Sequence, residues 1–128
     1  MATNLVQDNG YVLGNVAASH PATPLTGAPV RIGTETGVAL TNEGEGGNDS
    51  GKQTIDMSQR VWRLTVDDNE GSGIALYDTI YYHDTGTGTG SVNLNNSSTS
   101  ADAIFGIALG VVSANATTAI DVLHIPGK

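Results

Sequence analysis

The chain has 128 residues and a formal net charge of −8, from 5 basic and 13 acidic side chains. Domains most often run to about 100–150 residues, so this length predicts a single β domain, residues 1–128, with a real core. The charge has the wrong sign for binding nucleic-acid phosphates or an anionic membrane. The absence of cysteine excludes disulfides, thiolate metal sites and cysteine nucleophiles.

The first eight residues lack the basic start and the apolar run of a signal peptide. No stretch of the sequence approaches the ~18 apolar residues that a membrane-spanning helix needs. We therefore expect a protein that is made and used without secretion and that has no membrane partner.

Apolar and polar residues alternate through most of the chain, which is the pattern of half-buried β-strands. In chain order, the predicted strands are residues 11–16, 28–32, 37–40, 54–57, 61–66, 79–83, 104–112 and 119–125. At most one helical turn is expected, around residues 73–77. The prediction is an all-β fold, a small barrel or sandwich with long Gly/Thr-rich loops and little helix.

Three segments have the composition of loops. Residues 20–24 contain two prolines, residues 42–51 are acidic and rich in glycine, and residues 84–100 form a Gly/Thr/Ser/Asn tract. Loops longer than about 12 residues in a compact domain are usually functional, disordered or ordered only against a partner. A solvated surface loop and a partner contact both stay open for the last two segments.

A short strand followed by a Gly-(Val/Ile)-Ala-Leu strand occurs twice in the sequence. Residues 27–33 precede the first such strand, at 37–40, and residues 77–83 precede the second, at 106–109. A glycine followed by an alanine lets another backbone approach closely, which suits a small barrel. The pattern is compatible with an internal duplication and also with chance.

Six segments of the chain carry a resemblance: residues 1–10, 27–33, 37–40, the Leu76-Tyr77-Asp78 turn, and residues 105–109 and 118–125. They are similar to the corresponding parts of a family of small tailed-phage proteins. Members of that family often carry an automatic recombinase name but are better understood as capsid decoration, cement or head-fibre proteins. The resemblance covers nearly the whole chain, and segments 42–52 and 84–100 depart from the family pattern. It implies a non-enzymatic structural virion protein, made in the host cytoplasm, that binds the major capsid protein on the capsid surface. It also implies a symmetric homo-oligomer, with a trimer favoured.

The recombinase name is not supported by the chemistry of the sequence. Residues 46–52 fit G-x-x-x-x-G-K, but a phosphate-binding loop needs Ser or Thr next, where this chain has Gln53. Residues 54–57 are predicted to form a strand, whereas the motif needs a helix there. An acidic turn is favoured over a nucleotide site because Glu43, Glu45 and Asp49 would repel phosphates.

Other combinations of reactive residues are weaker. The three histidines, at positions 20, 83 and 124, lack metal-site spacing, and residues 67–71 lack the spacing of an EF-hand. His83 and Asp84 could form half of an acid/base pair, but no nucleophile or second carboxylate accompanies them. No catalytic residue, cofactor site or metal site is therefore predicted.

The aromatic residues suggest an alternative function. Trp62, Tyr77, Tyr81 and Tyr82 could form a platform for sugar, as in a carbohydrate-binding head-fibre module. Core packing explains Trp62 and Tyr82 equally well, because strand parity can bury them.

The N-terminal residues 1–8 form a candidate extended arm. The arm is uncharged before Asp8 and has little apolar area with which to fold alone. The predicted partner-binding residues within it are Thr3, Asn4, Leu5, Val6 and Gln7. We expect them to add as a strand to the capsid protein or to a neighbouring subunit. The alternative is a hairpin with residues 11–16 of the same domain.

Overall fold

The computed structural model describes residues 12–87 and 92–126 of the chain, and these residues contain nine strands and no helix. The strands are β1 (Val12–Val16), β2 (Pro29–Ile32), β3 (Glu35–Ala39), β4 (Gln53–Asp56), β5 (Val61–Asp67), β6 (Thr79–Thr87), β7 (Val92–Asn95), β8 (Ala103–Ala108) and β9 (Thr117–His124). The all-β prediction is therefore confirmed. Within the described ranges, no helix is long and apolar enough to cross a membrane.

The strands form two sheets. The first is open and has the order β1-β4-β3-β2, with every pairing antiparallel. The second joins its strands in a ring, β5-β7-β6-β8-β9. The ring closes through a parallel contact between Asp67 of β5 and Asn95 of β7.

The sequence prediction was wrong for segment 84–100. β6 continues to Thr87, and β7 lies inside the predicted loop. Leu94 is buried by apolar packing, and Asn95 is buried beside it because Thr87 and the Ser97 N–H hydrogen-bond its side chain. Polar composition thus concealed a strand whose amide groups are satisfied internally.

The helical turn expected at residues 73–77 is also absent. Ile74 instead pairs with Val112 in a β-bridge, and the next residues form a turn closed by Asp78 N donating to Ala75 O at 3.1 Å. Tyr77 in that turn has a left-handed φ of +74°. The other predicted strands are found, with ends shifted by a few residues.

The two sheets repeat one another. The order β1-β4-β3-β2 of the first sheet matches β5-β9-β8-β6 of the second, strand by strand and with the same antiparallel pairing. Val12 and Leu13 face Asp56 and Ile55 in the first repeat, and Val61 and Trp62 face Leu123 and Val122 in the second.

Backbone hydrogen bonds outside the strand ladders repeat as well. Each of three bonds in the first repeat has a counterpart of the same length in the second. The pairs are Gly27 N to Ala39 O and Tyr77 N to Ala108 O (2.7 Å), Ala39 N to Ala28 O and Ala108 N to Asp78 O (2.9 Å), and Leu40 N to Thr54 O and Leu109 N to Asp121 O (2.8 Å). The structure therefore supports the internal duplication that the sequence left open.

The glycine that begins each Gly-(Val/Ile)-Ala-Leu strand allows the neighbouring backbone to approach closely in both repeats. A Cβ on Gly37 would lie 2.8 Å from Asp56 O, and a Cβ on Gly106 would collide with Leu123 O. Asp56 and Leu123 hold equivalent places in β4 and β9. Glycine is therefore required where β3 and β8 meet the neighbouring backbone.

The repeats differ in what lies beside the last strand of each sheet order, which is β2 in the first repeat and β6 in the second. In the first, the chain after β1 reaches β2 directly, because Ser19 N and His20 N both donate to Arg31 O. In the second, β7 lies between β6 and β5. The inserted residues that follow β6 thus supply the extra strand that closes the ring.

The larger core lies in the second repeat, around buried Tyr82 and Phe105. Val38 of β3 belongs to this core, so the first repeat contributes directly to it. Leu64 and Val66 of β5 are buried there, with Trp62 packed against it, as the alternation of β5 predicts. A smaller core forms within the first repeat around Val30, Ala39 and Ile55.

Candidate functional site

An ion pair joins the two repeats across their junction. Arg31 of β2 donates from Nε and Nη2 to the two carboxylate oxygens of Asp84 in β6, at 2.9 and 2.6 Å. The hydrogen bond with Asp84 raises the pKa of Arg31, and the same bond lowers the pKa of the Asp84 carboxyl. Two parallel charge-assisted bonds fix the relative position of the strands as well as adding energy.

Tyr82 and His20 form a second link between the repeats. The tyrosine hydroxyl lies 2.7 Å from Nδ1 of His20. Burial raises the pKa of Tyr82 well above its ordinary value, so the hydroxyl keeps its proton and can donate it in this bond. Tyr82 therefore works as a core residue with one polar anchor.

His124 of β9 is a third link and is fully buried. Its Nδ1–H donates to Ser58 O at 2.8 Å, and its Nε2 accepts from the Thr36 hydroxyl of β3 at 2.9 Å. Burial lowers the pKa of His124, which favours the uncharged ring that this pair of bonds requires.

The structure does not bring His83 and Asp84 together as an acid/base pair. His83 is buried, and its Nε2–H donates to Ser97 O at 2.8 Å. Asp84 is held by Arg31 and, through its own N–H, by the carboxylate of Asp102 at 2.7 Å. Both side chains are engaged in structural contacts.

Asp68 organises the loops that follow β5 and precede β9. Its buried carboxylate accepts hydrogen bonds from the backbone N–H groups of Glu70, Gly71, Gly73 and Asn115 and from the side chain of Asn96. Burial alone would raise its pKa, but these donors outweigh burial and lower the pKa to about 2. The acidic turn expected at residues 67–71 is therefore a loop fastened around one carboxylate.

The acidic loop between β3 and β4 does not have the geometry of a phosphate-binding loop. β4 begins at Gln53, directly after Lys52, where such a loop would lead into a helix. Asn48 fastens the loop to the neighbouring strands, since its Oδ1 accepts from Asn15 N of β1 at 2.6 Å and its Nδ2 donates to Thr54 Oγ1 of β4 at 3.0 Å.

The four aromatic side chains do not form one platform, and core packing is the alternative that holds for Trp62 and Tyr82. Tyr82 is buried in the core, and Trp62 packs against it. Tyr77 is exposed, and Tyr81 lines a cleft. Alternation along β6 explains the separation, because adjacent residues of a strand point to opposite faces.

The cleft beside Tyr81 is polar. Glu70, Asp78 and Asn96 also border it, at the end of the second repeat where the Asp68 loop meets β6. Its mixture of one aromatic ring with carboxylate and amide groups is suited to polar ligands with hydroxyl groups.

Three exposed apolar side chains form what we call the apolar turn patch: Leu76, Tyr77 and Val111, which are 46, 66 and 67% exposed. The Ile74–Val112 bridge and the bond from Tyr77 N to Ala108 O hold their two segments side by side. Sequence reasoning missed the patch because its segments lie more than 30 residues apart. The signal that could have found it is the apolar character of Leu76 and Tyr77 in a predicted turn and of Val111 near the end of the predicted strand 104–112.

The predicted partner-binding residues Thr3, Asn4, Leu5, Val6 and Gln7 lie outside the described residues. Among residues 12–87 and 92–126, no three His, Cys, Asp or Glu side chains are grouped as metal ligands.

Comparison of the chain with protein-family models, with curated proteins and with solved structures returned no match.

Proposed function

We propose that the chain is a non-enzymatic structural protein that binds the outside of an assembled phage capsid, as a symmetric homo-oligomer, and stabilises it. The observation that carries this proposal is the position in the fold of the residues that resemble the phage family. Several of these residues supply the turns, the close-packed glycines and the strands that repeat between the two sheets. They are segments 27–33, 37–40, 76–78 and 105–109. The resemblance therefore involves the residues that define the architecture.

The use of the polar side chains also supports a mechanical role. Arg31 and Asp84, His20 and Tyr82, and Thr36 and His124 each connect one repeat to the other. These links oppose separation of the repeats, as a component under outward load requires. A bound protein of this kind stabilises a capsid by adding contacts that must break before subunits part.

Attachment is proposed to use the N-terminal arm. Residues 2–7 are uncharged and can add to an exposed strand edge, where main-chain hydrogen bonds give affinity and alternate side chains give register. Several arms in one oligomer raise the occupancy of a weak individual contact through effective concentration.

Deletion of residues 1–7 tests this proposal with expanded capsids assembled without the protein. We expect the truncated protein to keep its melting temperature and to lose capsid occupancy, measured as copies per capsid on quantitative gels. Substitution of Leu5 and Val6 by serine is the matched control for length, and it should weaken occupancy less than the deletion. Full occupancy by the truncated protein, together with a lower melting temperature, would place the arm in the domain's own sheet.

A carbohydrate-binding head-fibre module is the second candidate, and the polar cleft beside Tyr81 favours it. Binding to a glycan array that is abolished by Tyr81→Ala and unaffected by Tyr77→Ala would support this function. Absence of binding across sugar classes by the intact protein would remove it.

A further inference from the structure

The charged side chains of the second repeat are almost all of one sign. Residues 64–127 contain seven carboxylate side chains and no lysine or arginine. The seven are Asp67, Asp68, Glu70, Asp78, Asp84, Asp102 and Asp121. This half of the chain therefore complements a positively charged ligand.

Five of these carboxylates are occupied within the fold by hydrogen bonds or ion pairs. They are Asp67, Asp68, Asp84, Asp102 and Asp121. The other two, Glu70 and Asp78, both border the polar cleft beside Tyr81. Asp78 gives only its Oδ2 to a backbone donor, Ala75 N, and within residues 12–87 and 92–126 the Glu70 carboxylate has no hydrogen-bond or ion-pair partner. The cleft therefore holds the two carboxylates of this repeat that have oxygens available for a ligand.

The first repeat shows that the fold does not require this chemistry. The matched backbone bonds at 2.9 Å place Asp78 where the first repeat has Ala28. Counting three residues along each strand places Tyr81 where the first repeat has Arg31. The first repeat therefore lacks the carboxylate and has a cation in place of the aromatic ring. The acidic and aromatic groups of the cleft are additions to a fold that forms without them.

The size and the hydroxyl groups of the cleft suit a sugar ring. Its volume of about 320 Å³ is at the lower end of the roughly 300–1,000 Å³ that small-molecule sites occupy. Ser72 and Thr79 add hydroxyl groups to its wall, beside Tyr81. Hydroxyl groups both donate and accept hydrogen bonds, as those of a sugar do, whereas the charged end of a lysine or arginine side chain only donates.

We propose that this cleft binds an amino sugar, with its ammonium group against the carboxylates of Glu70 and Asp78 and its ring beside Tyr81. The inference rests on the carbohydrate-binding candidate above and names the class of sugar. An ammonium group donates charge-assisted hydrogen bonds to carboxylates and is attracted to the face of an aromatic ring. A sugar that carries a carboxylate would be repelled by the same two side chains.

Two matched ligands test the proposal on the full chain. A tetramer of glucosamine and a tetramer of N-acetylglucosamine share their ring and linkage, and the first carries ammonium groups where the second carries neutral amides. We expect the glucosamine tetramer to bind at least about tenfold more tightly in calorimetric titrations. Its binding should shift the backbone amide resonances of Thr79 and Tyr81 in nuclear magnetic resonance spectra.

Variants of the two carboxylates locate the binding. Glu70→Gln and Asp78→Asn keep the size of each side chain and remove its charge, and both positions are exposed. Each should weaken binding of the glucosamine tetramer about tenfold. Glu45→Gln is the matched control, since it removes an exposed carboxylate from the acidic loop of the first repeat, and it should leave the affinity unchanged. Equal losses in all three variants would show that net charge alone attracts the ligand and would overturn the proposal.

The result with the neutral tetramer separates the class of sugar from carbohydrate binding itself. Equal or tighter binding of the N-acetylglucosamine tetramer, abolished by Tyr81→Ala, would overturn the amino-sugar site and would support the carbohydrate-binding candidate. Absence of binding by both tetramers would also overturn the amino-sugar site, and the glycan array still decides the carbohydrate-binding candidate.

A tetramer of lysine separates a sugar site from a site for a basic protein segment. It carries ammonium groups without sugar hydroxyls, so we expect it to bind more weakly than the glucosamine tetramer. Equal binding of the two, with the same loss in Glu70→Gln, would show that a basic segment fits the cleft as well and would overturn the assignment to a sugar.

Discussion

Arg31 and Asp84 lie 53 positions apart in the sequence and form a two-pronged ion pair that holds the repeats together. Both side chains are partly shielded from solvent. Arg31 belongs to β2 and Asp84 to β6. The ion pair therefore links two strands whose backbones are already fixed by their own sheets.

The first prediction concerns this pair. Arg31→Gln and Asp84→Asn should each lower the free energy of unfolding by about 1–3 kcal/mol, because each leaves a half-buried partner without its counter-charge. The double variant should show a coupling of about 1 kcal/mol in denaturant titrations. The exposed pair Arg63 and Asp121, at 3.3 Å, is the control and should show less than about 0.5 kcal/mol. Equal couplings for the two pairs would contradict the role assigned to Arg31.

The second prediction concerns the glycine of β8. Gly106→Ala should cost about 3 kcal/mol or more, or prevent folding, because the new methyl group collides with the rigid Leu123 carbonyl. Gly14→Ala is the control, since the nearest atom to its added Cβ is Thr54 Oγ1 at 3.9 Å. Thermal unfolding of both variants checks the claim, and comparable losses in the two would show that close approach is not the cause.

The third prediction concerns Asp68. The folded pKa of about 2 lies below the unfolded value of 3.8, so its carboxylate stabilises the fold above pH ~4. This contribution, about 2 kcal/mol, disappears as the pH falls from about 4 to about 2. Asp68→Asn should destabilise the protein by about 2–4 kcal/mol at neutral pH, because an amide cannot accept from so many donors. Asp78→Asn, which removes a carboxylate with one backbone donor, should cost less than about 1 kcal/mol. A difference in unfolding free energy between the parent chain and Asp68→Asn that stays constant down to about pH 2 would refute this role of Asp68.

The fourth prediction concerns His124. Burial lowers the pKa of His124 in the folded state. Below about pH 6.5 the unfolded chain therefore binds a proton at this residue that the folded chain does not bind. The contribution of His124 to stability should therefore be fully present above about pH 7 and should be lost as the pH falls below about 6.5. His124→Gln should flatten this dependence in denaturant titrations. An unchanged slope in His124→Gln would assign the effect to other groups.

The sequence predicted the strands whose alternation is apolar, such as β5 with Leu64 and Val66. It did not predict β7, because Asn93 and Asn95 give the segment the composition of a loop, and only their hydrogen bonds in the folded chain make it a strand. The duplication was visible in the sequence as two matching Gly-(Val/Ile)-Ala-Leu strands, 37–40 and 106–109. The segments that precede them, 27–33 and 77–83, differ in sequence, with Gly27 of one repeat in the place of Tyr77 of the other. The contacts of Arg31 and of Asp68 join distant segments, and no local pattern encodes them.

Capsid binding is the central claim of the account, and add-back to expanded capsids that lack the protein measures it most directly. The purified full chain should bind saturably, with a fixed number of copies per capsid, and should raise the temperature at which the capsid releases its DNA. The same occupancy is expected for Arg63→Gln, a control at an exposed position outside residues 1–8. Failure to bind at saturating concentration, or binding that leaves the release temperature unchanged, would contradict a role in stabilising the capsid.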